Sequence, residues 1–86
     1  MGMELYNAGK YAEARKYLSQ SMANNYLSEV YSQSLFWMAE SFYQEQNYAA
    51  SVEGYNRFFA SEGAPRTQEY SQAFYNAGYA HFKERQ

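Results

Sequence analysis

The side chains that could do chemistry on a substrate are few in this 86-residue chain, and they are scattered. His81 is the only histidine and cysteine is absent, so neither a disulfide nor an ordinary zinc-type site can be assembled. His81 stands at helix spacing after Tyr70, Phe74 and Ala77, where a ring would fill a slot in an apolar stripe. Glu40 and Glu45 lie five residues apart on one predicted helix, a rotation of about 500°. They do not share a face, so a two-carboxylate active site is not expected and both read as solvated charges. No Ser/His/Asp order, phosphate-cradling glycine loop or cofactor motif occurs. The chain therefore reads as a non-enzyme, with no catalytic residues, metal or cofactor.

The residues in surplus are rings. Eleven Tyr, six Phe and one Trp make 21% of the chain aromatic. Rings are costly to leave in water, so this many must fill a core, form a binding surface, or both. The rings left over once an apolar stripe is assigned are Phe36, Trp37 and Tyr43, then Tyr75 and Tyr79. They are interleaved with Gln33, Glu40, Gln44, Gln72, Asn76 and Lys83. Rings supply contact area and amides supply hydrogen bonds, a combination suited to an extended peptide or a docked helix.

These residues must be positioned by helices. Tyr31, Leu35, Met38 and Phe42 are spaced four, three and four apart, which is the helix period. The same spacing returns at Tyr70, Phe74, Ala77 and His81, a constant offset of 39 from position 31 to 70 and from 42 to 81, with YSQ recurring letter for letter. A second family of helices repeats at an offset of 37, from Tyr11 to Tyr48, with Ala12/Ala49 identical and Leu18/Tyr55 both bulky. The spacing predicts the tail of a helix over 1–8, then helices over 11–23, 28–46, 48–60 and 65–85. Left-handed Gly9, Asn24/Asn25, Asn47 and Gly63 serve as stops and turns, Ser28 as a cap, and Pro65 as the opening of the last helix. Gly54 sits inside a helix at a cost of about 1 kcal/mol relative to alanine. The pattern begins and ends inside helices, as a segment of a longer array would.

These residues resemble the tetratricopeptide repeat (TPR) family. The central repeat offers Leu35, Met38-Ala39 and Phe42 on its first (A) helix, and Ser51 and Tyr55 on its second (B). The last offers Phe74, Ala77-Gly78 and His81, and the first offers Ala14 and Leu18. Ala39 and Gly78 stand where two helices must touch closely. The resemblance implies an all-α fold of about five helices, antiparallel helix-turn-helix repeats stacked as a right-handed solenoid. It divides the chain into a partial repeat over 1–27, a full repeat over 28–64 and an A helix over 65–86. Periods of 37 and 39 exceed the family's usual 34 or so, and long Tyr- and Gln-rich repeats of this kind resemble those of bacterial cell-envelope members.

In that family the A helices line a concave groove, so the resemblance makes the eleven interleaved residues, Gln33 to Lys83, a partner-binding groove. The cations of the carboxylate-gripping members are missing, Asn76 alone being of that type. The groove's aromatic, neutral character points to an uncharged or mixed-sequence protein partner. A net charge of −2 argues against nucleic acid, and no apolar run approaches the roughly 20 residues of a membrane span. Self-association through exposed solenoid ends is the alternative, as is a role as an accessory module of a larger envelope protein.

Overall fold

The computed structural model describes residues 6–23 and 28–85, with four α-helices and no strand among them. The helices are α1 (Tyr11–Ala23), α2 (Ser28–Gln44), α3 (Tyr48–Ala60) and α4 (Tyr70–Glu84), and a single 3-10 turn, Ala64–Arg66, precedes α4. Of the expected first-helix tail, Tyr6 and Asn7 are helical and Ala8 is already in the turn, while residues 1–5, the Asn24/Asn25 turn and the Ser28 cap lie outside the described residues and side chains.

The turns follow local chemistry, not always at the expected residue. Gly9 is left-handed (φ 79°), as its position predicts. At the end of α2 the left-handed residue is Gln46 (φ 63°), not Asn47. Gln46 N–H donates to Tyr43 O at 3.0 Å and Asn47 N–H to Phe42 O at 2.9 Å, the paired closure of a Schellman motif. Asn47 is freed to cap α3, accepting from the Ala50 N–H. Gly63 is right-handed, and α3 is closed instead by extended Ser61, whose N–H donates to Phe58 O. Pro65 does not open α4 but lies within the short 3-10 turn, which begins at Ala64. Extended Thr67 halts it, its N–H and Oγ1 both donating to Ala64 O, and α4 begins at Tyr70.

Ring and polar contacts fix the directions of the helices. Tyr43–Tyr48, Phe36–Phe58 and Ser32–Ser61 converge as the chain turns back, so α2 and α3 are antiparallel. Phe59 meets Tyr70 and Phe74 across the next turn. On the other side of α2, the Arg15 guanidinium of α1 lies 4.0 Å over the Phe42 ring, and donates to Ser41 Oγ and to Glu45. Helix α2 is thus packed by three neighbours, which explains why its buried face is not the expected stripe. Leu35 is buried as expected, but Tyr31 is exposed and Met38 and Phe42 are half-buried. Phe36, Ala39 and Ser32 take the centre.

On α4 the correction is larger. Ala73, Ala77, Ala80 and Asn76 are buried, while Phe74 and His81 are exposed. Small side chains let α4 approach closely, and the large rings are left on its outer side. His81 therefore does not fill a core slot.

The close approach expected at Ala39 and Gly78 occurs only at the first. A Cβ built at Gly54 would stand 2.8 Å from Ala39 Cβ and 3.0 Å from Ala39 Cα, whereas one at Gly78 meets nothing within 4 Å. Gly54 is the price of bringing α3 against α2. Gly54→Ala should gain about 1 kcal/mol of helix propensity and lose about 1–3 kcal/mol to overpacking. A net loss is expected, whereas Gly78→Ala should stabilise. Thermal melts of the two variants check the opposite signs.

Candidate functional site

The candidate residues come from α2 and α4, which lie side by side and run parallel. Gln33 Nε2 donates to Glu69 Oε1 at 3.0 Å, Asn76 Nδ2 donates to Glu40 Oε1, and the Tyr43 and Tyr79 ring centroids are 6.0 Å apart. Each pair is 36 residues apart (33 to 69, 40 to 76, 43 to 79), so the two helices are in register over three turns.

Seven of the eleven candidate residues, Gln33, Glu40, Tyr43, Gln72, Asn76, Tyr79 and Lys83, make contacts along this seam. Gln72 Nε2 donates to Asn76 Oδ1 at 3.0 Å, and the Lys83 ammonium lies 5.7 Å from the Tyr79 ring centroid. Trp37 and Tyr43 are half-buried, while Gln44, Gln72, Tyr75 and Tyr79 are exposed, Tyr75 most of all at 74%. Phe36 does not belong with them. It is 2% exposed and its ring meets Tyr55 and Phe58, because the Ala39–Gly54 contact draws this side of α2 against α3.

Glu40 departs furthest from the sequence reading. It is not solvated but only 7% exposed. Its Oε1 accepts from the Tyr55 hydroxyl of α3 and the Asn76 amide of α4, and its Oε2 is 3.4 Å from the Tyr6 hydroxyl. Glu45, by contrast, is exposed and pairs with Arg15 at 2.7 Å. Glu40 is thus a hub joining the N-terminal segment, α2, α3 and α4. Asn76, expected to face a ligand, is 6% exposed, both ends of its amide being taken by Glu40 and Gln72.

Sequence reasoning left Tyr6 and Tyr55 out of this site. A signal existed for each. Tyr6 aligns with Tyr43 at an offset of 37. Tyr55 fills a core position with a hydroxyl that, once buried, must find a partner.

Burial raises the Tyr55 phenol well above its ordinary value of 10.0, and the hydrogen bond to Glu40 and that carboxylate's charge raise it further. Tyr6 is raised by burial and then by the Glu40 charge, and Tyr43 by burial and then by Tyr79. The stability consequence has a definite sign. Up to about pH 10 the folded and unfolded chains both keep these phenols neutral. Above it the unfolded chain releases protons that the folded chain retains. Stability should therefore fall by up to about 1.4 kcal/mol per pH unit from fully buried Tyr55. Denaturant melts from about pH 8 to about pH 11 should show this decline, with a shallower one in Tyr55→Phe.

Compared with family models, curated proteins and solved structures, the chain matches none.

Proposed function

We propose that this chain is a TPR-type scaffold whose α2–α4 face binds a peptide or helix of another protein. The observation that carries the reading is the parallel, in-register pairing of α2 and α4, the helices that stand as A-type helices in the repeat. It gathers Trp37, Tyr43, Tyr75 and Tyr79 beside Gln44 and Gln72 on one seam, rings next to amides. The antiparallel return through α3 and the placement of α1 against α2 fit stacked helix pairs, each burying a face that one pair cannot bury alone.

The test is selection from a displayed random peptide library, with affinities read through Trp37 fluorescence, or by calorimetry where the tryptophan is replaced. Trp37 packs edge-to-face on Tyr6 and Phe36 at 5.2 and 5.0 Å and is half-buried. Trp37→Ala should weaken a selected peptide by about 2 kcal/mol or more, roughly 30-fold. Tyr75→Ala, altering an exposed ring, should weaken it with no loss of fold. A peptide that binds both folded variants as well as the parent chain would remove this reading.

A second reading is favoured by Phe74 and Phe82, which are 57% and 59% exposed on the side of α4 away from Lys83 and Asn76. Phe74 continues the ring stack of Phe59 and Tyr70 out to the surface. Self-assembly through that face would appear as a mass that rises with concentration in light scattering and falls back to monomer in Phe74→Ser/Phe82→Ser.

A further inference from the structure

Among the described residues no cation pairs with the hub at Glu40. Its hydrogen-bond donors, Tyr55, Asn76 and Tyr6, are all neutral. Among the described residues the ion pairs are Arg15–Glu45 and Arg66–Glu29, and the Lys83 ammonium lies over Tyr79. None of these reaches Glu40. A carboxylate this deeply buried is normally compensated by an opposite charge, because neutral donors replace only part of its hydration.

The two carboxylate oxygens are also unequally used. Oε1 takes two donors, one from α3 and one from α4. Among the described residues Oε2 has only the Tyr6 hydroxyl at 3.4 Å, longer than an ordinary O–H···O bond. A carboxylate oxygen can accept two good hydrogen bonds, so Oε2 keeps acceptor capacity on the Tyr6 side. Rings gather there. Tyr6 packs on Trp37, Tyr43 is close enough for the Glu40 charge to raise its phenol, and Tyr79 packs on Tyr43. A carboxylate among electron-rich ring faces is the environment that recognises an ammonium or a guanidinium.

We propose that the α2–α4 face recognises a cationic side chain, arginine or lysine, in its partner peptide. Glu40 Oε2 is the charge partner, Trp37, Tyr43 and Tyr79 are the walls, and Tyr6 is the phenol that yields as the cation enters. The proposal rests on the peptide-binding reading above and narrows the uncharged or mixed-sequence partner implied by the composition of the face to a mixed-sequence one with a cation.

The test uses four pools of acetylated, amidated nonapeptides, randomised except for a central arginine, lysine, citrulline or norleucine. Citrulline and norleucine keep the shape of the side chain and remove its charge. The expected result is at least about tenfold greater retention of a cationic pool on the intact chain, falling with added salt and abolished in Glu40→Gln. Whether the arginine or the lysine pool leads identifies the cation. Equal retention of charged and uncharged pools would overturn the cation site and leave the peptide-binding reading standing. Retention of no pool would overturn both. A cationic preference that persists in folded Glu40→Gln would also overturn the proposal, assigning the preference to another acid. Were that variant to unfold, the four pools on the intact chain, with and without salt, decide by themselves.

Discussion

Phe36→Ala is expected to cost about 3–5 kcal/mol and to bring the chain close to unfolding, with no selective effect on partner binding. Phe36 is 2% exposed, and its ring lies 5.0 Å from Trp37, 5.7 Å from Phe58 and 6.2 Å from Tyr55, centroid to centroid. These neighbours sit on two antiparallel helices held apart by their own contacts, so the space left by the ring cannot close. A domain of this size has a total stability of about 5–15 kcal/mol, and a single loss of this magnitude takes a large share of it. Urea unfolding followed by circular dichroism checks the expectation. Tyr75→Ala is the control, a change to a mostly exposed ring expected to stay within about 0.5 kcal/mol. If Phe36→Ala melted like the parent chain, the ring would belong to the binding face after all.

The contrast between Phe36 and Tyr75 shows where the sequence was legible. Helix existence was readable from the spacing of large apolar residues, and the bounds Tyr11–Ala23 and Tyr48–Ala60 agree with it. Which face a helix buries was not. The large residues of α4 recur at offset 39 from those of α2, yet on α4 it is the alanines that are buried. A hydrophobic stripe records what a helix could bury. What it does bury depends on its neighbours, and α2 has three while Phe74 and Phe82 on α4 have open sides. The start of the last helix, expected at 65 and found at Tyr70, differs for a related reason. Pro65 is a fair opening residue, but Thr67 closes the turn with its own hydroxyl before α4 begins. In the candidate site, α2 and α4 were legible as the donors of the face because they repeat. The burial of Glu40 was not, because a carboxylate at helix spacing reads as solvated until its donors are known. One of those donors comes from α3 and one from α4, distant in sequence and brought together only by the turns.

Glu40→Ala and Glu40→Gln are expected to differ sharply, and the difference isolates what the hub does. Alanine leaves the Tyr55 hydroxyl and the Asn76 amide buried without an acceptor, at about 1–3 kcal/mol each, while relieving the burial of a charge. A net loss of about 2–4 kcal/mol follows. Glutamine keeps one carbonyl oxygen for the same two donors, and its amide can donate to the Tyr6 hydroxyl, so a change within about 1 kcal/mol is expected. Equal losses in the two variants would mean that Tyr55 and Asn76 need the charge and not merely the acceptor. Equal stability to the parent in both would mean that the hub holds nothing together. The loss in Glu40→Ala should also be local. The buried side of α4 is Ala73, Ala77, Ala80 and Asn76, three small apolar side chains and one amide. Beyond the contacts of Tyr70 and Phe74 with Phe59 at its start, α4 has few large apolar anchors, so the Asn76–Glu40 bond carries a larger share of its docking than a hydrogen bond does elsewhere. Amide hydrogen exchange should therefore accelerate first in α4, ahead of α2 and α3, whose ring contacts at Phe36 and Phe58 are untouched. Uniform acceleration across all helices would place the hub in the global core and deny it that particular role.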